Sequence, residues 1–450
     1  MDNGNGLRKI FENLLFPKIF KAFRIAIQPK SIMISFIAVA VIFLAGWLMD
    51  ITNSVVCSTG GSNELNVYLG NPDFVPDFIV MNKESGKRAG VFATFSEFSI
   101  SRFNSSMASL LQLNLEQFSS NVSDYCRAVR WVYRYHPIYS IIFTLIKLIV
   151  IAVAGGAICR FASLSFARGQ KPGLFEVLGF STKKFFSFFA APLVLLGVIV
   201  GIGLFIIIVG LIANIPYAGE LMMIILFPIA LLLGTFTAVI AVGGVAGFNL
   251  MFPTIAYEGS DSFEAISRSL SYIYTRPWRM AFYSGIALFY GAICYLFVQF
   301  FAFVVLFMTR MFLGAGIFVN SSDKQVDKLT AIWPRLQFGD FVGYAQTHTN
   351  NWSESVGAFF VYLGLLIVAG LVMAFVISFY FSANTIIYSL MRNRVDGTKL
   401  DDIYIYTEDE FAEQPEIKQA DQKEQGQKLD DENNQMDLAM PSGNEDNEEG

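Results

Sequence analysis

Residues 186–213 read FSFFAAPLVLLGVIVGIGLFIIIVGLIA, a run of 28 positions without one charged side chain. The hydrocarbon core of a bilayer takes ~20 apolar residues in helical form, and a run this long has few other uses. Five more runs of the same kind flank it: Ser31–Met49, Tyr139–Phe161, Leu221–Leu250, Met280–Phe312 and Val356–Leu390. The chain therefore reads as an all-α membrane protein with six transmembrane helices.

Composition agrees. Of 450 residues 54% are hydrophobic, 45 are Phe and only 15% are charged, against about 25% charged in soluble domains. The charge is divided unevenly. Asp401–Gly450 carries 17 acidic residues and 3 lysines, while the remaining 400 residues carry 29 basic and 20 acidic ones. The body is a basic membrane domain. The segment 392–450 ends in an acidic, Gln- and Asn-rich tail with too little apolar content to offset its ordering entropy, so disorder is expected there.

Residues 1–30 alternate Arg8, Lys9, Lys18, Lys21, Arg24 and Lys30 with Leu14, Phe16, Ile19 and Phe23. That pattern predicts an amphipathic helix in the headgroup plane, interrupted at Pro17. No small-residue cleavage site follows a short apolar run, so 31–49 is expected to stay as a signal anchor. The basic flank places the N-terminus in the cytoplasm, and six spans return the C-terminus to the same side. Arg168, Lys183, Lys184, Arg276, Arg392 and Arg394 fall on that side too, while Arg127, Arg130 and Arg134 argue the other way. The expected location is the cell membrane, with both termini cytoplasmic.

Between the spans lie an exterior module (50–137) and an exterior loop (314–353), around a block of helices at 138–313 and a last helix at 354–391. In the module, Gly70-Asn71-Pro72 and Glu84-Ser85-Gly86 punctuate short apolar runs and predict strands or extended chain across Val67–Phe98. Phe103–Gln117 and Val122–Tyr135 read as helical. Cys57 and Cys126 are the only cysteines outside the spans. A disulfide closing that long loop would stabilise by ~4 kcal/mol in the chain-entropy model and suits an oxidising compartment. Asn104, Asn121, Asn320 and Asn351 each head an Asn-x-Ser triplet, to which chance in Asn- and Ser-rich loops is an adequate explanation.

A repeat marks the cytoplasmic side. After the second span come Ala167-Arg168-Gly169, then Phe175-Glu176-Val177-Leu178 and Ser181. After the fourth come Tyr257-Glu258-Gly259, then Phe263-Glu264-Ala265-Ile266 and Ser269. A degenerate third copy, Val395-Asp396-Gly397 and Leu400-Asp401-Asp402-Ile403, comes after the sixth. Phe263, Ile266, Leu270 and Ile273 form an apolar stripe of a short helix, Glu264 and Arg268 an i,i+4 pair, and Pro277 ends it. The expected architecture is thus a set of parallel helix–elbow–helix repeats, each elbow flat on the inner leaflet, plus the small mixed exterior module. Glu176, Glu258, Gly259, Glu264, Arg268 and Arg279 are the candidate elbow interaction residues; plain connection between spans is the commoner role for such a turn.

The stretch Pro253-Thr254-Ile255-Ala256-Tyr257-Glu258-Gly259 with Phe263–Ser269 and Trp278-Arg279 resembles the cytoplasmic elbow of YciC-like bacterial multi-pass proteins. It is similar also to the membrane domain attached to some glycerophosphodiester phosphodiesterases. The resemblance covers about 30 residues and implies a bacterial helical membrane protein. No stretch here matches the phosphodiesterase domain, so it implies no enzymatic activity.

Within the spans Lys147 is the clear ionisable residue, and such residues are functional candidates by default, with snorkelling to the interface as the structural alternative. Lys147 and Gln299 form the candidate intramembrane polar site. Thr237, Asn249 and Gln299 read as interhelical hydrogen bonders, and Gly197/Gly201 and Gly243/Gly247 have the spacing of close helix packing. There is no His-Glu-x-x-His, Walker A, Cys-x-x-Cys or Gly-x-Ser-x-Gly. No catalytic, metal or cofactor residues are assigned. The expected function is a non-enzymatic scaffold or accessory component of a membrane complex, its partners being membrane lipid and a protein or second copy, and not nucleic acid. The alternative is a transporter or lipid-handling protein built on the repeats, which predicts a polar midplane cavity around Lys147 and Gln299.

Overall fold

A computed structural model of the chain describes residues 15–52, 55–59, 62–82, 87–317, 327–333, 338–339, 341 and 351–405. The chain divides into two units, 1–403 and 404–450; the second holds only two described residues. The first 14 residues, most of the 314–353 loop with Asn320, and 406–450 of the expected 392–450 tail lie outside the described residues, whereas 392–405 are described: 392–395 are helical and Ile403 is buried, so the expected disorder does not begin at 392.

A 3-10 turn at Phe16–Phe20 leads into α1 (Lys21–Ala26) and α2 (Pro29–Thr52). β1 (Val56–Thr59) and β2 (Ser62–Asn63) precede α3 (Glu64–Gly70), α4 (Val75–Met81), β3 (Lys87–Ala89), α5 (Val91–Leu111) and α6 (Leu115–Tyr135). Then come α7 (Pro137–Ala167), α8 (Leu174–Lys183), α9 (Phe185–Ala213), α10 (Ala218–Glu258), α11 (Ser262–Thr275) and α12 (Pro277–Gly316). The short α13 (Lys328–Ile332) and the long α14 (Trp352–Val395) complete the order. Six of these, α2, α7, α9, α10, α12 and α14, are long and apolar enough to cross a membrane. The chain is an all-α membrane protein; the only sheet among the described residues has three strands, in the order β2-β1-β3.

Several helices overshoot what a bilayer needs. α10 has 41 residues, about 60 Å at 1.5 Å per residue, against ~30 Å of hydrocarbon. The excess forms a protein core at the elbow end. There Ala157–Ser163 of α7, Leu250–Tyr257 of α10 and Phe381–Met391 of α14 are buried at every position. A helix buried all round belongs to a core rather than to a lipid boundary.

α7, α10 and α14 each end at a glycine in the left-handed region, Gly169 (φ +68°), Gly259 (φ +68°) and Gly397 (φ +70°). Glycine alone enters that region freely, which is why it ends helices so often. The three-copy sequence repeat is therefore a three-copy backbone turn. The elbows do not lie flat on a leaflet as expected. α11 doubles back antiparallel along α10: Tyr274 Oη donates to Val239 O, and Thr254 faces Ser269. α8 does the same along α7, with Ser181 Oγ donating to Val153 O at 2.6 Å. The third copy has no elbow helix among the described residues; Thr398–Ile403 returns as extended chain and turn.

Docking along a helix rather than on lipid keeps Ile266, Leu270 and Ile273 of the expected stripe on the packed face and leaves Phe263 out of it. Phe263 is 68% exposed, whereas Ala265, Ile266, Ser269, Tyr272 and Ile273 are buried. The reason is close approach. A Cβ added at Gly247 would meet Ile273 Cδ1 at 2.9 Å, and one at Gly243 would collide with Tyr274. So Gly243/Gly247 serves an intramolecular contact, while Gly197 and Gly201 have open space around them. Thr237 caps back onto its own helix at Leu233 O, 2.8 Å, rather than across helices. Asn249 does bridge helices, accepting from Tyr380 Oη.

Among the described residues of the N-terminal segment, 16–26 pack on protein rather than lying flat on headgroups. Ile19, Ala22, Ile25 and Ala26 are buried, Ser378 Oγ of α14 donates to Ala26 O at 2.8 Å, and Phe23 packs edge-on to Phe375. The apolar face of residues 16–26 docks on α12 and α14, and Pro17 sits at the start of the 3-10 turn.

The module is mostly helical. Strands occupy only 56–59, 62–63 and 87–89 among the described residues, so of the strands expected across Val67–Phe98 β3 is formed, while α3, α4 and the start of α5 take the places of the others. Val56, Leu65, Tyr68, Val75, Val91 and Trp131 form its core. Asp50, at the end of α2, anchors it. Its carboxylate accepts from Phe92 N (2.9 Å) and Ala93 N (2.8 Å) at the start of α5, and from Tyr139 Oη (3.1 Å). The expected Cys57–Cys126 disulfide is absent: both thiols are free, Cys57 buried in β1 and Cys126 exposed on α6. Cys57 lies beside Arg88 in the sheet (Nη1 to Sγ, 3.3 Å), and its backbone N–H donates to the buried Glu64 at 2.6 Å. Burial pushes the Cys57 thiol pKa up, against the pull of Arg88. Asn104 and Asn121 sit in helices, Asn104 half-buried and Asn121 buried out of reach of a glycan.

Candidate functional site

The densest polar cluster in the described chain closes the elbow end. It grows from the last residue of α10. Glu258, with 8% of its side chain exposed, faces two guanidinium groups: Arg268 Nη1 at 2.8 Å and Arg392 Nε at 3.0 Å. Tyr388 Oη donates to Glu258 Oε1 at 2.5 Å. The Arg392 Nε contact is an ion pair without hydrogen-bond alignment.

Local chemistry holds each member. Asp261 caps α11 by accepting from Glu264 N at 2.9 Å, as an N-cap aspartate should. That places Glu264 and Arg268 one turn apart, and they pair as the i,i+4 spacing predicts, Nε to Oε1 at 2.9 Å. On α14, Tyr388 and Arg392 are also one turn apart and reach the same carboxylate. Beyond Gly397 the chain curls back: Arg392 Nη1 donates to Asp402 O at 2.6 Å, and Tyr257 Oη to Leu400 O at 2.7 Å. Tyr272 Oη donates to Asp396. Burial, then that bond and the Asp396 charge, raise the pKa of Tyr272. The rings of Tyr257, Tyr272 and Tyr388 pack together with centroids 5.7–5.8 Å apart.

The other turns interlock with this one. Lys184 Nζ, at the end of α8, donates to Gly259 O at 2.7 Å, and Lys30 Nζ of α2 to Pro172 O at 2.7 Å. Arg160 of α7 is buried, donates to Ala256 O at 3.0 Å and lies 4.5 Å from the Phe180 ring. Charges buried this deeply persist only when paired and hydrogen-bonded.

Of the candidate elbow residues, Glu258, Gly259, Glu264 and Arg268 come together. Glu176 does not join them; its carboxylate accepts from Gly173 N at 3.0 Å and caps α8. Arg279 is exposed at the start of α12, beside the 86%-exposed Trp278. Arg392, Tyr388, Tyr272 and Asp396 were not anticipated from sequence. The pointers were the Tyr388–Arg392 spacing, one turn in the last stretch of an otherwise apolar helix, and the third repeat copy, where Asp396 holds the place of Glu258.

Lys147 and Gln299 are not one site. Gln299 is buried on α12 near Gly339, close to the Tyr295–Asn104 hydrogen bond (2.5 Å). Lys147 lines a separate groove with Phe92 and Phe95 at the start of α5. Phe95 and Asn104 are nine residues apart on α5, about 14 Å. Among the described residues no three His, Cys, Asp or Glu side chains gather as a metal site.

No family model matches the chain, and neither curated proteins nor solved structures are similar to it.

Proposed function

We propose that this chain is a non-enzymatic scaffold or accessory component of a membrane complex, in the cell membrane of a bacterium, with the elbow end and both termini cytoplasmic. The resemblance of residues 253–279 to YciC-like elbows supports the bacterial setting. One observation supports the scaffold reading above the others. The elbow end is a tied knot, in which Glu258, Arg268 and Arg392 join three separate helices through a nearly buried carboxylate.

Such a knot suits holding a fixed shape rather than alternating between two. A transporter on parallel repeats needs its polar groups at a shared cavity, and Gln299, buried on α12, does not line the groove at Lys147. The exposed Trp278, Phe186 and Phe263 with Arg276 and Arg279 suit contact with the lipid interface. Nucleic acid has no place in the reading.

The test is native mass spectrometry of the full chain extracted gently from its own membrane. A stoichiometric protein partner or a defined homo-oligomer, lost on Arg268→Ala with Arg279→Ala, is expected. A lone chain that moves a solute across vesicles would overturn the proposal.

A further inference from the structure

The groove at Lys147 lies at the opposite end of α7 from the knot. Its walls are α5, α6 and α7, and it encloses about 210 Å³. That is below the ~300–1,000 Å³ of pockets that engulf a whole small molecule, so its occupant is only partly enclosed. Ser140, Thr144 and Lys147 line it from α7, at spacings of four and three that put them on one helix face. Phe92, Phe95 and Phe143 supply apolar wall, with Phe92 and Phe143 edge to face at 5.6 Å.

Depth narrows the occupant. Tyr139 bonds to Asp50 where α2 ends, and Lys147 lies eight residues further along α7, about 12 Å deeper. That is inside the apolar stretch of a membrane-crossing helix. Asp50 cannot serve as its counter-ion, being engaged by two backbone N–H groups and Tyr139. Asp124, on α6, pairs with Arg102 and Arg127. Among the described residues no carboxylate pairs with Lys147. An intramembrane cation ordinarily finds an anion or reaches water. Thr144 and Tyr133 close the groove near it through their own hydrogen bond of 2.6 Å.

We propose that this groove holds one anionic phospholipid of the module-side leaflet, its phosphate paired with the Lys147 ammonium and its headgroup end flanked by the aromatic wall of Phe92, Phe95 and Phe143. A phospholipid is chosen over a water-borne anion because the site combines one cation, long enough to reach toward the interface, with an aromatic wall on a membrane-crossing helix. The proposal stands apart from the scaffold reading, since it concerns the other end of the molecule.

The full chain in nanodiscs of phosphatidylcholine with one-tenth phosphatidylglycerol, followed by native mass spectrometry, tests it. Wild type is expected to retain one phosphatidylglycerol, enriched at least tenfold over the bulk ratio. Lys147→Gln is expected to lose that enrichment and Lys147→Arg to keep it. Val129→Trp, which fills the groove and leaves Lys147 in place, is expected to lose it as well. Equal retention by wild type, Lys147→Gln and Val129→Trp would overturn the proposal. So would retained phosphatidylcholine at the bulk ratio, or a free fatty acid as the only bound anion.

Discussion

Removing the Glu258 carboxylate should be among the most damaging single changes in this chain. In Glu258→Ala, Arg392, 13% exposed, keeps Asp402 (3.6 Å), the Asp402 carbonyl and the Tyr257 ring at 5.7 Å. Breaking a buried pair from one side costs ~3–5 kcal/mol, because the surviving charge stays desolvated. The Arg268 half counts for less: that side chain is 39% exposed and keeps Glu264, so its share falls to at most ~1 kcal/mol. With Asp402 compensating part of the Arg392 term, the expected loss is ~3 kcal/mol, about 150-fold in the unfolding equilibrium. Glu264→Ala is the control. Glu264 is 46% exposed, and its loss should cost under ~1 kcal/mol. Equilibrium unfolding in micelles, followed by tryptophan fluorescence, measures both. The double variant Glu258→Ala/Arg392→Ala should recover ~2 kcal/mol relative to additivity, within the usual range for contacting residues. If Glu258→Ala and Glu264→Ala unfold at the same denaturant concentration, the knot is not what holds α10, α11 and α14 together.

The same geometry sets four further outcomes. Gly243→Val should lower the melting temperature by several degrees because its Cβ meets Tyr274, whereas Gly197→Ala, with open space around it, should be neutral or stabilising by up to ~1 kcal/mol through helix propensity. Gly259→Ala should cost ~1 kcal/mol in a denaturation series for its left-handed φ of +68°, and Gly259→Asn less. An impermeant maleimide at pH ~7.5, below the ordinary thiol pKa, should label the exposed Cys126 within minutes and leave Cys57 untouched, since burial both covers that thiol and raises its pKa; labelling of intact cells would also report which side the module faces. Asp50→Ala removes the acceptor for two N–H groups of α5, and should cost ~1–2 kcal/mol, seen as faster amide exchange over residues 91–95.

The sequence alone determined the features that depend on neighbours within a turn or two. The apolar runs specify six spans because a bilayer forces helical hydrogen bonding onto any segment that crosses it. Three glycines end three helices because glycine takes the left-handed turn without a Cβ penalty, and the Glu264–Arg268 pair comes from helical spacing. Element type failed only where short apolar runs are ambiguous, as in α3 and α4, which turn signals had suggested as strands. Tertiary structure decided what those helices touch. An elbow face that reads as lipid-facing is in fact pressed on Gly243 and Gly247 of α10, because helix-to-helix approach is set by a partner 20–30 residues away in sequence. The Arg392–Glu258 pair spans 134 positions, and no local pattern encodes it. Lys147 stood out as a charge in an apolar run, but its separation from Gln299 and its aromatic wall exist only once α5 and α6 fold over α7. Local periodicity reports the backbone's own hydrogen bonding and the polarity of its surroundings; the pairing of distant charges depends on how whole helices pack.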